Sequence, residues 1–315
     1  MEVFLLSYLH EFHAGNHADI LKHLALLYTI DYLNKKDKPY SFFDTHSGSA
    51  LYDIKSRNAE KTGEAALGIE KLLLSVKNNE CNKIVYEQLE PYIKFASECL
   101  KKGFYPGSPA FELNFLNKNS TLFLTELHKT EYQKLLNSVN KLNEYKKIKT
   151  IVENKDGFSF LKANTPPQIK RGVVLCDPSY EESSDYENVS KVLSYVHKHW
   201  SAAIIIVWYP LLANKIEQIE IMKQSIYAEA MKINPNTEVL DAALLVDSPD
   251  SHKEAPLKES IGSKTPRLYG SGIFVLNPCW GLKEFLEGTL GYLSSVLARN
   301  ENGSFSVASL PLSLQ

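Results

Sequence analysis

The sequence predicts an α/β protein with a doubly wound, mainly parallel sheet. Short apolar segments with strand character alternate along the chain with longer amphipathic segments at helical spacing. Such alternation is typical of a sheet that has helices on both faces. The chain has 315 residues, of which 44% are hydrophobic, so a single domain over 1–315 can bury a large core.

The predicted elements follow one another in a regular order. A first helix covers 18–35, and a short strand within 39–50 ends in a loop of small residues. The stretch 58–102 is amphipathic and has no strand signal, so it indicates a helical subdomain with bounds 54–104, inserted between the first two strands. Further strands are predicted at 121–128, 150–158, 173–181, 202–210, 237–246 and 271–280, with helices at 130–145, 185–199 and 211–232 and a polar loop at 247–270.

Charge, apolar runs and cysteine spacing indicate which partners and which compartment to expect. The formal net charge is −2, from 35 basic and 37 acidic residues. This balance does not by itself indicate a nucleic-acid partner, and it does not exclude one, because a local basic patch would suffice. No apolar run approaches the roughly 18 residues of a membrane span, and the N-terminus lacks a signal-peptide pattern. The four cysteines form no C-x-x-C pair, which predicts a reduced, cytoplasmic protein.

Acidic residues stand at the ends of four successive predicted strands: Asp44, Glu126, Asp156 and Asp177. Ligands of open α/β sheets bind at the carboxyl ends of the strands, where an acid often holds ribose hydroxyls. The alternative is that each acid only caps the helix that follows it. Four such acids in order favour a nucleotide-like cofactor.

The loop DTHSGS at 44–49 follows the first strand. It lacks the G-x-G-x-x-G spacing that binds a pyrophosphate at a helix start. A loop of small residues after an acid suits a cofactor without phosphates, such as S-adenosylmethionine. An ordinary turn of Ser and Gly is the alternative.

The turn Asp177-Pro178-Ser179-Tyr180 ends the fourth predicted strand. The Asp177 carboxylate and the Pro178 carbonyl could accept both N–H groups of an exocyclic adenine amine, and Tyr180 could stack on the base. The alternative is a plain strand-end turn. The similar NPCW (277–280) ends the last predicted strand, expected at the far side of the sheet, whereas the fourth strand should lie beside the first.

The N-terminal region is rich in histidine. His13 and His17 have the spacing of a metal pair on a helix, but Gly15 and Asn16 interrupt that helix and no third ligand is evident. Packing in the core is the favoured interpretation of these histidines. Lys22 and His23, which follow on the first helix, could donate to an anionic group.

A set of motifs in this order resembles the RlmJ family of 23S ribosomal RNA adenine-N6 methyltransferases. The motifs are FHAGNHADILKH, DKPYSFFDTHSGS, FYPGSP, LTELH, KDGF, DPSYE and WYP, and the resemblance runs from about residue 7 to residue 280. It implies a Rossmann-like, S-adenosylmethionine-dependent methyltransferase fold with an inserted helical subdomain, in agreement with 54–104.

The resemblance also implies the roles of individual residues. Asp177 would be catalytic, together with Pro178 and Tyr180, and Tyr8 and Tyr180 would contact the substrate. Large-subunit ribosomal RNA is the expected partner of a cytoplasmic monomer without metal. S-adenosylmethionine would be bound by Lys22, His23, His46, Ser108, Glu126, Asp156, Gly157 and Asp177.

The chain departs from the family at two places. The family's catalytic turn has a second proline where this chain has Ser179, and the 44–49 loop has serines where the family favours alanine and glycine. A catalytically weakened or inactive RNA-binding relative is therefore the alternative function, and a metal-dependent hydrolase built on the histidines is a third. RNA contacts are expected from the KKIK segment (146–149), Lys162, Lys170 and Arg171.

Overall fold

The structure is a computed structural model that describes residues 11, 13–54, 56, 63–252, 268–299 and 301–310. The helices are α1 (His17–Asn34), α2 (Lys71–Lys77), α3 (Lys83–Lys101), α4 (Ser108–Phe115), α5 (Lys129–Leu142), α6 (Gly157–Ala163), α7 (Ser184–His199), α8 (Ile216–Ile233) and α9 (Leu282–Leu297). The strands are β1 (Ser41–Asp44), β2 (Leu51–Asp53), β3 (Phe104–Pro106), β4 (Thr121–Thr125), β5 (Lys149–Glu153), β6 (Gly172–Cys176), β7 (Ile204–Leu212), β8 (Val239–Leu245), β9 (Leu268–Leu276) and β10 (Ser304–Leu310). None of the helices in these ranges is long and apolar enough to cross a membrane.

Eight of the strands form one sheet in the order β10-β8-β9-β7-β6-β1-β4-β5. From β7 to β5 neighbouring strands are parallel, whereas β9 is antiparallel to both of its neighbours. The predicted α/β class with a mainly parallel sheet is confirmed. The expectation that the fourth predicted strand lies beside the first is also confirmed, because β6 pairs directly with β1.

The two faces of the sheet are buried in separate cores because successive side chains of a strand point to opposite sides. Phe42 and Val173 pack into the core that contains α1, α4, α5 and α9. Phe43 and Val174, the next residues along the same strands, pack into the core beneath α6, α7 and α8. Burial on both faces explains why these strands read as continuous apolar runs.

The chain between β1 and β4 is mainly helical, and the short strands β2 and β3 form an antiparallel pair on either side of the helices. A π-helical turn (Ala66–Glu70) leads into α2, and its Ile69 N–H donates to Gly15 O at 2.8 Å. The Ser75 and Tyr292 hydroxyls lie 2.8 Å apart and join α2 to α9. Helices therefore fill much of the interval 54–104, of which 55 and 57–62 lie outside the described residues. That this interval is a separate subdomain stays a prediction.

The C-terminal part of the sheet differs from the sequence expectation. The segment 271–280 does not end the last strand at a far edge, because β10 follows it in the chain and pairs with β8. Strand β9 lies inside the sheet between β8 and β7. Alternating apolar segments predict that strands exist, but the pairing partner and direction of each strand depend on tertiary packing.

Candidate active site

The four predicted strand-end acids converge at one edge of the sheet. Because β5, β4, β1 and β6 are adjacent and parallel, Asp156, Glu126, Asp44 and Asp177 follow their carboxyl ends in that spatial order. This edge is where open α/β sheets bind their ligands. The acids line or adjoin a cavity of about 690 Å³, a volume typical of a small-molecule site.

Asp44 organises the loop that follows β1. Its carboxylate accepts from the Ser108 hydroxyl at 2.7 Å and from the His46 backbone N–H at 3.1 Å. Burial raises the pKa of Asp44 to about 6. Gly48 in the same loop has a positive φ of 59°, which a residue with a side chain rarely adopts. Asp44 therefore shapes the loop from behind, while the side chains of His46 and Ser108 line the cavity.

Glu126 links two loops of the cavity through its carboxylate. One oxygen accepts from the Gly48 N–H at 2.9 Å, and the other accepts from the His128 N–H at 2.7 Å. Burial raises the pKa of Glu126 to about 7, although these two donors oppose the shift. Since a carboxylate can accept about four hydrogen bonds, acceptor capacity remains on the cavity side.

Asp156 and Gly157 form the start of α6. Asp156 is the N-cap of this helix and accepts from the Ser159 N–H at 2.8 Å, so the capping alternative holds for this acid in addition to its place in the cavity wall. A Cβ atom on Gly157 would lie 1.9 Å from the Thr45 carbonyl oxygen. Glycine at 157 is therefore required for the close approach of two cavity loops.

Asp177 forms an ion pair with Lys22 of α1. The Lys22 Nζ lies 2.5 Å from Asp177 Oδ2 and 3.0 Å from Asp19 Oδ1, and the Lys22 side chain is only 5% exposed. Burial by itself lowers the pKa of Lys22, but the two carboxylates outweigh burial and hold the pKa above its usual value. Lys22 is thus a buried cation that fixes one oxygen of Asp177.

Two acceptors of the same turn lie in the cavity wall without a hydrogen-bond partner among the described residues. Asp177 Oδ1 and the Pro178 carbonyl accept no hydrogen bond from the described residues, and both residues line the cavity. Ser179 lines it too, and neither its hydroxyl nor its N–H makes a hydrogen bond within the described ranges. The turn therefore presents two adjacent acceptors to whatever enters.

Two described residues of the predicted site do not line the cavity. Tyr180 is 4% exposed, has a positive φ of 53°, and donates its hydroxyl to the Trp208 carbonyl at 2.8 Å. His23 is buried beside Tyr105 and does not line the cavity. The stacking role of Tyr180 and the cofactor role of His23 stay predictions. Tyr8 lies outside the described residues.

Several cavity residues were not identified from the sequence. Most of them stand within two residues of a predicted acid in the chain, and that closeness was the available signal: Thr45, Leu127, His128 and Phe158. Tyr52 lies in β2 and had no such signal.

The N-terminal histidines take up polar and core positions. His13 Nδ1 lies 3.0 Å from Glu64 Oε1, and His17 is buried, which lowers its pKa to about 4. No group of three or more His, Cys, Asp or Glu side chains in the described residues is arranged to hold a metal ion.

The NPCW segment lies away from the cavity. Strand β9 is antiparallel to β7, so its carboxyl end lies at the opposite edge of the sheet, where Asn277 donates to the carbonyls of Ser201 and Ala203. The expectation that this segment is remote from the cofactor is confirmed, but the cause is the direction of β9 and not a position at the end of the sheet.

Known proteins are similar to this chain in sequence and in fold. The family model described as ribosomal RNA large subunit methyltransferase D, RlmJ, matches residues 37–310. Ribosomal RNA large subunit methyltransferase J of Escherichia coli K12 is 33% identical over 307 residues, and the match covers 96% of this chain and 98% of that protein. The protein of the same name from Haemophilus influenzae is 32% identical with the same coverage.

A solved structure extends this likeness to three dimensions. A crystal structure of a protein from Legionella pneumophila strain Philadelphia 1 has a TM-score of 0.75 and 28% identity, covering 94% of this chain and 98% of that one. The family match, the two relatives and the shared fold all span nearly the whole chain. The chain belongs to the RlmJ family of ribosomal RNA large subunit methyltransferases.

Proposed function

We propose that this protein transfers a methyl group from S-adenosylmethionine to the exocyclic N6 amine of an adenine in 23S ribosomal RNA. The observation that carries the proposal is the pair of open acceptors, Asp177 Oδ1 and the Pro178 carbonyl, in the wall of the cavity. Membership of the RlmJ family supports the class of reaction and the RNA substrate.

The cavity fits the cofactor. Its volume of about 690 Å³ suits a nucleoside-sized ligand, and the close approach of Gly157 to Thr45 builds a cradle that a side chain would fill. Glu126 would accept from ribose hydroxyls, and the other residues that would hold the cofactor are Lys22, His46, Ser108, Asp156, Gly157 and Asp177. When bound, S-adenosylmethionine supplies an electrophilic methyl group on a positively charged sulfur.

The turn after β6 makes the target amine nucleophilic. The lone pair of an adenine amine is delocalised into the ring, so the nitrogen attacks poorly while it stays planar. Asp177 Oδ1 and the Pro178 carbonyl would accept its two N–H groups and favour the tetrahedral nitrogen of the transition state. Lys22 holds the second oxygen of Asp177, which orients the carboxylate.

The target adenine has to leave its stack to reach these acceptors, because they lie inside a cavity. Ser179 in place of the family's second proline leaves both acceptors intact, so the structure gives no reason to prefer an inactive RNA-binding protein. We also propose that the protein acts as a cytoplasmic monomer, as expected for a modifying enzyme that approaches a much larger RNA.

The test is transfer of labelled methyl groups to protein-free large-subunit RNA, followed by nucleoside analysis. Wild type should form N6-methyladenosine. Asp177→Ala should lose activity by a factor on the order of 10² or more, because it removes the acceptor that holds the target amine. Asp177→Asn should lose activity to a similar extent, because its single oxygen accepts from Lys22 and its NH2 group replaces the open acceptor. Wild type that binds S-adenosylhomocysteine yet transfers no methyl group would refute the proposal.

A further inference from the structure

The edge of the sheet opposite the cavity carries a row of exposed lysines. Strands β5, β4, β1, β6 and β7 all begin at this edge. Adjacent strands are about 4.8 Å apart, so the segments that enter these five strands form a row about 20 Å long. The row, called the basic edge below, consists of Lys36, Lys38, Lys118, Lys147, Lys149, Lys170 and Lys198.

The seven lysines of the basic edge have no side-chain hydrogen bond or ion pair with the described residues. Neighbouring cations do have partners. Lys35 lies 3.9 Å from Asp31, and Lys146 donates to the Asn114 carbonyl. Arg171, which the sequence suggested as an RNA contact, donates to the carbonyl of Leu33 in the last turn of α1 and to the carbonyl of Lys38 beyond that helix. The basic edge is therefore distinct from the cations that hold the fold together.

Interaction with helix dipoles explains the positions of only some of these lysines. A lysine in the last turn of a helix offsets the negative end of the helix dipole, and Lys198 has that position in α7. Lys118 lies beyond the end of α4, Lys149 lies in β5, and Lys170 lies beyond the end of α6. These three lysines need another explanation.

Few acidic residues offset the positive charge of the basic edge. In the segments that enter these five strands, Asp31 pairs with Lys35 and Asp37 accepts from Asn117, which leaves Glu144. Two further exposed acids lie farther along the edge, Glu238 before β8 and Glu284 after Trp280. The cavity at the other edge has the opposite character, because seven acids line it: Glu126, Glu131, Asp156, Asp177, Glu181, Glu182 and Asp185. A polyanion is thus attracted to the edge that faces away from the cavity.

Two exposed aromatic side chains lie on the same edge. Tyr145 is 89% exposed between α5 and β5, and Trp280 is 81% exposed after β9. They are the two most exposed large apolar or aromatic side chains of the described residues. Lysines that contact phosphates, interleaved with aromatic rings that stack on bases, are the usual means of binding single-stranded RNA.

We infer that the basic edge binds a second segment of the substrate RNA, an unpaired or looped strand, remote from the target adenine. Its phosphates contact the lysines, and its bases stack on Tyr145 and Trp280. The inference rests on the proposed function, which supplies an RNA long enough to reach both edges. The two edges of the sheet are about 17 Å apart, which is the length of a five-residue strand. The lysines of the basic edge provide the electrostatic attraction for RNA phosphates that the acidic cavity does not provide.

The first test measures the salt dependence of binding to protein-free large-subunit RNA by a triple variant, Lys118→Gln, Lys149→Gln and Lys170→Gln. In a plot of log affinity against log salt concentration, loss of three phosphate contacts should reduce the magnitude of the slope by about two to three. Affinity near physiological salt should fall by about tenfold or more. The matched control is Lys77→Gln, Lys101→Gln and Lys102→Gln, three exposed lysines of α2, α3 and its C-cap. It should keep the wild-type slope.

The second test separates the edge from the cavity by kinetics. The triple variant should raise KM for the long RNA and leave kcat unchanged. On a fragment trimmed to the shortest length that wild type still methylates, it should match wild type. Tyr145→Ala and Trp280→Ala should each weaken binding of the long RNA by roughly fivefold or more through lost stacking.

Three results would overturn the inference: an unchanged salt slope in the triple variant, an equal loss in the control triple, or an equal loss of activity on the trimmed fragment. Binding to vesicles of anionic lipid without binding to RNA would overturn it as well. The binding assay needs no turnover, so a wild type that binds RNA through this edge but transfers no methyl group would refute the proposed function alone.

Discussion

At the scale of single residues, Lys22 is the cation on which the site depends. It is buried between Asp19 and Asp177, and it holds one oxygen of Asp177 while the other stays open to the cavity. Removing Lys22 would leave the two carboxylates of Asp19 and Asp177 without the cation that compensates them. The same geometry that stabilises the site thus orients its acceptor.

Ser179→Pro should be tolerated and should not slow the reaction. Ser179 donates no hydrogen bond in the described structure and is not among the residues with positive φ, so a proline ring removes no contact. A proline at a compatible position stabilises by about 0.4–1 kcal/mol because it restricts the unfolded chain. Chemical denaturation and methyl transfer measure the two effects, with Ser179→Ala as the control that removes only the hydroxyl.

A gain in stability with an equal or higher rate would mean that the serine relaxes the turn. A loss of both stability and rate would contradict this account and would assign a function to the Ser179 side chain or N–H.

Affinity for the cofactor should rise with pH around neutrality. The pKa of Glu126 is raised to about 7, so its carboxyl is protonated below that pH and ionised above it. If ribose hydroxyls donate to the ionised form, affinity for S-adenosylhomocysteine should increase by about tenfold from pH 6 to pH 8. Titration calorimetry at several pH values measures this. Glu126→Gln should flatten the profile, and an equally steep profile in that variant would exclude Glu126 as the titrating group.

At the scale of elements, the site is made from the ends of strands and the loops that follow them. Residues 44–49 follow β1, Glu126 follows β4, and the loops come together because Glu126 accepts from Gly48. Gly157 at the start of α6 lets the next loop approach Thr45. Each strand supplies one wall of the cavity, so the register of the sheet sets the spacing of the walls.

Gly157→Ala should destabilise the protein and weaken cofactor binding. The added Cβ would lie 1.9 Å from the Thr45 carbonyl oxygen, so the two loops would have to move apart. Overpacking of this kind costs about 1–3 kcal/mol in the free energy of unfolding. Denaturation and titration with S-adenosylhomocysteine measure the two losses.

Gly291→Ala in α9 is the matched control. The nearest atom to its added Cβ is 3.6 Å away on Phe305, an ordinary contact. In a helix interior the change should stabilise by about 0.5–1 kcal/mol and leave cofactor binding unchanged. Equal effects from the two glycine variants would show that the approach of Gly157 to Thr45 has no special importance.

At the scale of the whole molecule, the two edges of the sheet have opposite characters. The carboxyl ends of the parallel strands carry acids around a cavity, and the amino ends carry exposed lysines, which pair with no described residue, and two exposed aromatic side chains. The sheet and its two cores separate these surfaces. A cofactor site and a surface for RNA can therefore be changed independently.

S-adenosylhomocysteine should stabilise the fold through the cavity alone. At a hundredfold excess over Kd a ligand adds about 2.7 kcal/mol to the free energy of unfolding, which raises Tm by a few degrees. The increase in Tm should be preserved in the triple variant with Lys118→Gln, Lys149→Gln and Lys170→Gln. It should be reduced in Glu126→Gln. Thermal unfolding with and without ligand measures it, and a shift lost in the lysine variant would mean that the two edges are coupled.

The sequence by itself determined the class of fold and the acids of the site. Apolar strands that alternate with helices specify a parallel sheet, and the parallel direction brings every strand-end acid to one edge. This is why Asp44, Glu126, Asp156 and Asp177 could be predicted as a group. Neighbouring residues such as Thr45 and Phe158 could be reached only by adjacency, because their contribution depends on how the loops fold over the cavity.

Only the tertiary structure decided the contacts between residues far apart in the chain. The Lys22–Asp177 pair joins α1 to the turn after β6, and no local pattern encodes it. The burial of Tyr180 and the antiparallel direction of β9 likewise depend on packing. The basic edge also needed the fold, because its lysines come from five separate segments that become neighbours when parallel strands align their amino ends. Short-range propensity acts within an element, whereas long-range burial and strand pairing choose which elements meet.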